Sequence, residues 1–446
     1  MSQLLDAQAR ENGTRFMIYP QNKKLKGFEQ PEVVYINLPP GSIQVGPEDD
    51  RMYVVDAKDK HEYRIVGEGP RYSGPRFPPV QPNEEGHFDH IHPDDRAFSS
   101  TVMYATVRRV LDIWEDYFGE DIKWFFHEAF NKLELIPRVE WNNAQSGNGF
   151  LEFGFACKEV VERKCVELDY NNPYCENFDV LAHEMGHTIK NSIIGWPQHQ
   201  EETEEYHGHH EAFGDLIAIV SVMHFDTVIE YLLSHTKGNL FSKNELSRVG
   251  ELDQSHEIRM AFNDKKMSEI QPIFDERTGR WVREEHELSK PFTGGAFDVL
   301  VDLFQLNLIE KGLIAKELGE RAYETHFQHV TQEEKNKIQQ EFEQCYQGKE
   351  REFKDALLDA RDYFGRLMAS AWRKTEPNDF YYWNVVENMI RADQELSNGK
   401  YEQTIRDCFV WREINATATD RPLLNTHIVN ELIHFPNSET NEASTH

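Results

Sequence analysis

The segment FDVLAHEMGHTIKNS at residues 178–192 decides how the rest of this chain is interpreted. It contains the pattern H-E-x-x-H, formed by His183, Glu184 and His187. On an α-helix, positions i and i+4 lie on one face, so both imidazoles can reach the same metal ion. The glutamate that follows the first histidine can then point its carboxylate toward a water in an open coordination position. Apolar neighbours of the motif indicate that this helix is buried.

A second apolar stretch, HHEAFGDLIAIVSVM at residues 209–223, supplies the partner of this motif. It places Glu211 and Asp215 at positions i and i+4, and two buried carboxylates are costly unless each has a partner. A metal ion on Glu211 and a hydrogen bond from the His183 imidazole to Asp215 would supply those partners. Two histidines and a glutamate leave one position open, which is typical of catalytic zinc. The neighbouring histidines at 207, 209 and 210 could replace a ligand, but the helix face favours Glu211.

The two motifs together resemble the gluzincins, and specifically the thermolysin-like neutral metalloproteases, over residues 90–415. The stretch WNNA at residues 141–144 is similar to the family's edge strand, and the resemblance implies that Asn143 and Ala144 bind the substrate backbone. The stretch EIRM at residues 257–260 is similar to the segment whose arginine, here Arg259, contacts a substrate carbonyl. His286 lies close to the spacing of the family's catalytic histidine, which implies that it stabilises an oxyanion.

The same resemblance implies an α+β fold of two lobes, with zinc in the cleft between them. Short strand-like runs and a segment rich in Pro and Gly suggest a strand-rich region and linker at residues 1–86. An α+β lobe is expected at 87–200, ending in the zinc helix, followed by a mainly helical lobe at 201–436. That lobe carries a charged insertion near 309–355, and a flexible tail follows at 437–446.

Two positions depart from the family's pattern. His210 stands where the family usually has Asn before the metal glutamate. Val222 stands where secreted relatives have an acidic calcium ligand, so we expect one zinc ion per chain and regard calcium as doubtful.

Composition and charge exclude some partners. The chain has 446 residues and a formal net charge of −30, which disfavours nucleic acid and anionic membranes as partners. No apolar run is long enough to span a bilayer, and the N-terminus lacks a secretory signal. Five cysteines without a CxxC pair fit free thiols better than a disulfide framework, which predicts a cytoplasmic location. The sequence does not indicate an oligomeric state.

Other polar residues have competing interpretations. Tyr206 is a candidate phenol for binding an oxyanion. The histidines at 87, 90 and 92 suggest a second metal site, but polar loop residues before a helix are the favoured interpretation.

Taken together, the sequence predicts a zinc peptidase in which Glu184 is the general base. Two alternatives stay open at this stage: a zinc hydrolase that acts on small amides, and a binding protein on the same fold with little turnover.

Overall fold

The computed structural model describes residues 2–64, 69–161, 164–241, 248–249, 259–276, 279–327 and 330–415. They form a mixed α+β protein in which helices predominate after residue 178. The helices are α1 (Ser2–Asn12), α2 (Arg96–Phe118), α3 (Phe178–Ile193), α4 (Glu204–Val222), α5 (Asp226–Thr236), α6 (Glu285–Glu310), α7 (Lys316–Phe327), α8 (Gln332–Tyr346), α9 (Glu350–Arg373), α10 (Tyr382–Ser397) and α11 (Glu402–Trp411). The strands are β1 (Thr14–Ile18), β2 (Glu32–Ile36), β3 (Met52–Val54), β4 (Leu133–Ile136), β5 (Ala144–Gly147), β6 (Phe150–Phe153), β7 (Phe155–Val161), β8 (Lys164–Pro173), β9 (Arg248–Val249), β10 (Arg259–Met260), β11 (Ile273–Asp275) and β12 (Arg280–Val282).

The main sheet has four strands in the order β3-β4-β6-β5. Strand β4 runs parallel to both β3 and β6, whereas β5 pairs antiparallel with β6. Strand β5 is therefore at one edge of the sheet, and it also packs against α3. An edge strand presents main-chain groups on which an extended peptide can pair.

Residues 53–72 contact this sheet through several polar side chains and the Tyr72 main chain. Glu134 of β4 is fully buried and accepts hydrogen bonds from the Tyr72 main-chain N–H and from the hydroxyls of Tyr53 and Tyr63, at 2.8–2.9 Å. The ammonium of Lys60 lies 2.6 Å from the carboxylate of buried Glu152. Because buried carboxylates need partners, these contacts hold the N-terminal region onto the sheet.

Helix α1 was not predicted, since the N-terminal region was expected to be strand-rich. Its Asp6 carboxylate lies 3.0 Å from Nδ1 of His224 and forms an ion pair with Arg109. These contacts hold α1 against α2 and against the turn between α4 and α5. One continuous hydrophobic cluster then extends from Leu5 to Ile414 through the described residues.

Helix α4 lies at the centre of the helical region and packs against both α3 and α6. Among the described residues, α6 is long and apolar enough to cross a membrane, but 78% of its apolar window is buried inside the protein. A helix in the core of a folded protein has this combination of length, apolar composition and burial.

The prediction of free thiols is wrong for two of the five cysteines. Cys157 and Cys165 form a disulfide across the β7–β8 hairpin, whereas the thiols at 175, 345 and 408 are free. A disulfide persists most readily in an oxidising compartment, so free thiols no longer support the cytoplasmic location, which stays a prediction.

Candidate metal centre

Helices α3 and α4 begin at capped N-termini that set the position of the centre. The Asn177 side chain accepts a hydrogen bond from the Asp179 main-chain N–H, and the Thr203 hydroxyl accepts one from the Tyr206 main-chain N–H. Such caps satisfy main-chain donors that a helix leaves unpaired in its first turn. The caps therefore fix where each helix begins, several residues before the predicted metal-site residues.

Two glycines allow the helices to approach closely. A Cβ atom on Gly186 of α3 would lie 2.7 Å from Cα of Gly214 on α4. A Cβ atom on Gly214 would lie 2.6 Å from Nδ1 of His183. Side chains at these positions would push the helices apart, so glycine is required for the contact between the two motifs.

The three predicted metal ligands converge in space. Nε2 of His183 lies 3.4 Å from Oε2 of Glu211, and Nε2 of His187 lies 3.6 Å from Oε1. Their potential ligand atoms all lie within 4.8 Å of one another, and the three residues are buried. Two imidazole nitrogens and one carboxylate at this spacing fit a zinc ion and leave a position open.

Asp215 contacts His183 through the ring nitrogen that does not face Glu211. Its Oδ1 is 3.0 Å from Nδ1 of His183, and the residue is only 1% exposed. A carboxylate on Nδ1 fixes the ring orientation and favours the tautomer in which Nε2 could bind a metal ion. Glu184, beside His183 on α3, is 8% exposed.

His286 comes to the centre from the first turn of α6. Its Nε2 lies 3.3 Å from Oε2 of Glu211, and its Nδ1 contacts Oε1 of Glu284. Burial raises the pKa of Glu284, but hydrogen bonds from His286 and from the Glu287 main chain outweigh that effect and lower it to about 2. Glu284 is therefore ionised and holds the imidazole, a role that the sequence did not reveal.

His210 packs against the predicted metal-site residue His187. The sequence identified His210 only as a departure from a family pattern. Its ring is parallel to that of His187, with centroids 4.1 Å apart and 5° between the planes. The ring of Trp196, which is 57% exposed, is tilted relative to that of His210, with the two centroids 6.0 Å apart. Stacking of the His210 ring on that of His187 restricts the rotation of the His187 side chain.

Tyr206 occupies a different environment from the one predicted. Its hydroxyl donates to the Gly195 carbonyl at 2.7 Å, and the residue is completely buried. Burial also raises its pKa. With its proton engaged in this way, Tyr206 is not in a position to donate to a substrate oxyanion.

The other neighbouring histidines lie in separate environments. His207 binds Glu202 at 2.9 Å, whereas His209 is fully buried beside the aromatic rings of Phe292 and Phe380. Neither belongs to a potential metal-binding group within the described part of the chain.

The predicted substrate-binding residues are only partly described. Ala144 begins the edge strand β5, and exposed Asn143 precedes it, with its carbonyl accepting a hydrogen bond from the Gly154 main chain at 2.8 Å. Arg259 lies in β10, but its side chain is outside the described part of the structure.

The favoured loop interpretation of the N-terminal histidines agrees with their contacts. Nδ1 of His87 accepts a hydrogen bond from the Arg15 main-chain N–H at 3.1 Å, and Nδ1 of His92 accepts one from the Asp94 main-chain N–H at 3.2 Å. No potential metal-binding group in the described ranges includes residues 87, 90 or 92.

Comparison with known proteins found a structural similarity to a metalloproteinase precursor. The precursor of protealysin, a metalloproteinase from Serratia proteamaculans, aligns with 81% of this chain and 86% of its own, with 11% sequence identity and a TM-score of 0.46. No family model matches the sequence, and no curated protein does. A likeness at this level establishes no function, so the functional argument depends on the centre itself.

Proposed function

We propose that this protein is a zinc-dependent metallopeptidase with one catalytic zinc ion per chain. The observation that carries the proposal is the convergence of His183, His187 and Glu211, with Asp215 orienting His183. This donor set is the one that catalytic zinc uses in hydrolases. A zinc ion held by these residues would lower the pKa of a bound water and would polarise a substrate carbonyl.

The protein's own groups would carry the proton transfers. Glu184 takes a proton from the attacking water and returns it to the leaving amine. His286, held by Glu284, donates from Nε2 to the oxyanion that develops on the substrate carbonyl. Tyr206 has no part in this scheme, because its hydroxyl is bound to Gly195.

An extended peptide is the proposed substrate. Strand β5 is at the sheet edge and packs against α3, which carries two metal ligands and Glu184. A peptide that pairs with β5 would therefore run past the metal centre. In this proposal Asn143 and the Ala144 main chain hold the peptide, and Arg259 contacts one of its carbonyls. The centre would lie in a cleft between an N-terminal α+β lobe and a C-terminal helical lobe.

A hydrolase of small amides uses the same chemistry and is the second candidate. The edge strand favours the peptidase, since a small amide does not need a strand-pairing surface.

The decisive experiment compares the parent with Glu184→Gln on a peptide library and on small amides. We expect the variant to keep its zinc and its melting temperature and to lose about 100- to 10,000-fold in turnover. The matched control is Glu202→Gln, which removes a carboxylate near the start of α4 without touching the centre. Parent-like turnover by Glu184→Gln would refute the mechanism, and cleavage of small amides alone would favour the second candidate.

A further inference from the structure

One carboxylate beside the metal centre has no part in the mechanism described above. Glu285 lies in the first turn of α6, immediately before His286, and it is exposed. One of its carboxylate oxygens lies within 4.8 Å of a Glu211 carboxylate oxygen and of a ring nitrogen of His286. Glu285 is therefore next to a proposed zinc ligand and to the proposed oxyanion donor.

Glu285 differs from the carboxylates around it in having no partner within the described ranges. Its side chain makes no hydrogen bond or ion pair there. The neighbouring carboxylates bind cationic or basic side chains of this chain: Glu284 binds His286, Glu204 binds Arg283 and Glu287 binds Lys290. The charge of Glu285 is therefore available to a group from outside the protein.

The direction of the Glu285 side chain is not explained by its place in the helix. The dipole of α6 favours acidic residues in the first turn, wherever their side chains point. It does not require an approach to Glu211, and two carboxylates at this separation repel each other. A cationic group of a bound substrate would offset this repulsion.

A peptide bound at the centre would bring such a group to this position. In the proposed mechanism the scissile carbonyl lies between the zinc ion and Nε2 of His286, and a zinc ion lies about 2.0–2.2 Å from a carboxylate ligand. The residues on either side of the cleaved bond would therefore pass close to Glu285. The net charge of −30 also favours the approach of cationic peptides over anionic ones.

We propose that Glu285 determines specificity by binding a cationic group of the peptide next to the cleaved bond. The group is an ammonium or a guanidinium, supplied by a free N-terminus or by a lysine or arginine side chain. The inference rests on the proposed function, because it assigns a substrate class to the same centre. A hydrogen bond to a charged group contributes about 10- to 100-fold in affinity, which sets the size of the expected preference.

Peptides that differ in one charge test this assignment. The cleaved bond is first located with the peptide library, and each residue beside it is then varied among lysine, norleucine and glutamate. Every peptide is made with a free and with an acetylated N-terminus. A preference that survives acetylation comes from the side chain, and one that acetylation abolishes comes from the N-terminal ammonium.

The measured quantity is the ratio of kcat/KM for a cationic peptide to that for its neutral counterpart. We expect a ratio of about 10 to 100 in the parent and a ratio near one in Glu285→Gln. In Glu285→Lys the preference should move to peptides with glutamate beside the cleaved bond. The matched control is Glu287→Gln, which removes an exposed charge from the same turn and should keep the parent ratio.

Peptide binding gives a readout that does not need turnover. The zinc-loaded Glu184→Gln variant should hold peptides without cleaving them, so dissociation constants can be measured for the same set. Adding Glu285→Gln to that variant should abolish the preference for cationic peptides. The preference should also decline as salt is added, since salt screens the charge of an exposed carboxylate.

Two results would overturn this inference and leave the proposed function intact. One is hydrolysis at rates that do not depend on the charge of the peptide. The other is a preference for cationic peptides that persists unchanged in Glu285→Gln, because another group would then be responsible. A parent that hydrolyses none of the peptides, together with binding to Glu184→Gln that ignores charge, would overturn both proposals.

Discussion

Nδ1 of His183 lies 3.0 Å from Oδ1 of Asp215, and this contact joins the two helices that form the metal centre. His183 belongs to α3 and Asp215 to α4, one turn after the ligand Glu211. The orientation of the proposed ligand His183 therefore depends on the helix that carries the proposed ligand Glu211. Any change that loosens the α3–α4 contact should weaken metal binding.

Replacing Asp215 by Ala should weaken zinc binding by about 10- to 100-fold, since the His183 ring loses the carboxylate that orients it. Zinc affinity is measured by competition with a chelator. Asp302→Asn, which alters a buried carboxylate on α6, is the control and should retain the parent affinity. Equal zinc affinities for Asp215→Ala and the parent would show that the contact does not orient the ligand.

Replacing His286 by Ala should lower turnover by about 100- to 1000-fold, because an oxyanion donor is lost. The assay is run at one zinc ion per chain, and zinc content at that ratio should not change. His207→Ala, which removes a partly exposed histidine paired with Glu202, is the control. Turnover by His286→Ala at the parent rate would remove His286 from the mechanism.

The stack of His210 on His187 should contribute to metal retention. His210→Phe preserves a flat ring and should release zinc at nearly the parent rate. His210→Ala removes the ring and should weaken zinc binding by roughly 2- to 10-fold, in line with the free energy of an aromatic pair. If the two variants lose zinc equally fast, the stack has no positioning role.

Stability should depend on pH through Asp302. Burial first, and then the nearby Asp298 carboxylate, raises the pKa of Asp302 from 3.8 to about 8. The folded chain therefore keeps a proton that the unfolded chain releases above about pH 4. The free energy of unfolding should fall as pH rises between these two pKa values, by up to about 1.4 kcal/mol per pH unit, and this loss should end above the folded pKa.

Urea unfolding at about pH 5 and about pH 8 measures this dependence. Asp302→Asn carries no titrating proton, so its free energy of unfolding should change less between the two conditions. A variant with the same pH dependence as the parent would show that Asp302 is not the group responsible.

Part of the grouping of His183, His187 and Glu211 could be predicted from helical spacing, whereas the approach of the two helices is a tertiary contact. His183 and His187 share a face of any α-helix, and Glu211 and Asp215 share a face of the next one. The edge strand could be predicted as well, through its resemblance to a known family. These features depend on local periodicity or on motifs that are contiguous in the chain.

The remaining features depend on tertiary contacts that local patterns do not encode. Glu284 and Glu285 look like ordinary exposed charges until α6 brings His286 to Glu211. Helix α1 is held by the ion pair of Asp6 with Arg109, which is distant in sequence. The disulfide was missed because five sparse cysteines resemble free thiols.

The central claim is tested most directly by a crystal structure of the chain with one equivalent of zinc, using diffraction data collected on both sides of the zinc absorption edge. We predict an anomalous difference peak between Nε2 of His183, Nε2 of His187 and the Glu211 carboxylate, within about 2.0–2.2 Å of each ligand atom. An ordered site without such a peak, or a peak bound by other residues, would contradict the proposed metal centre.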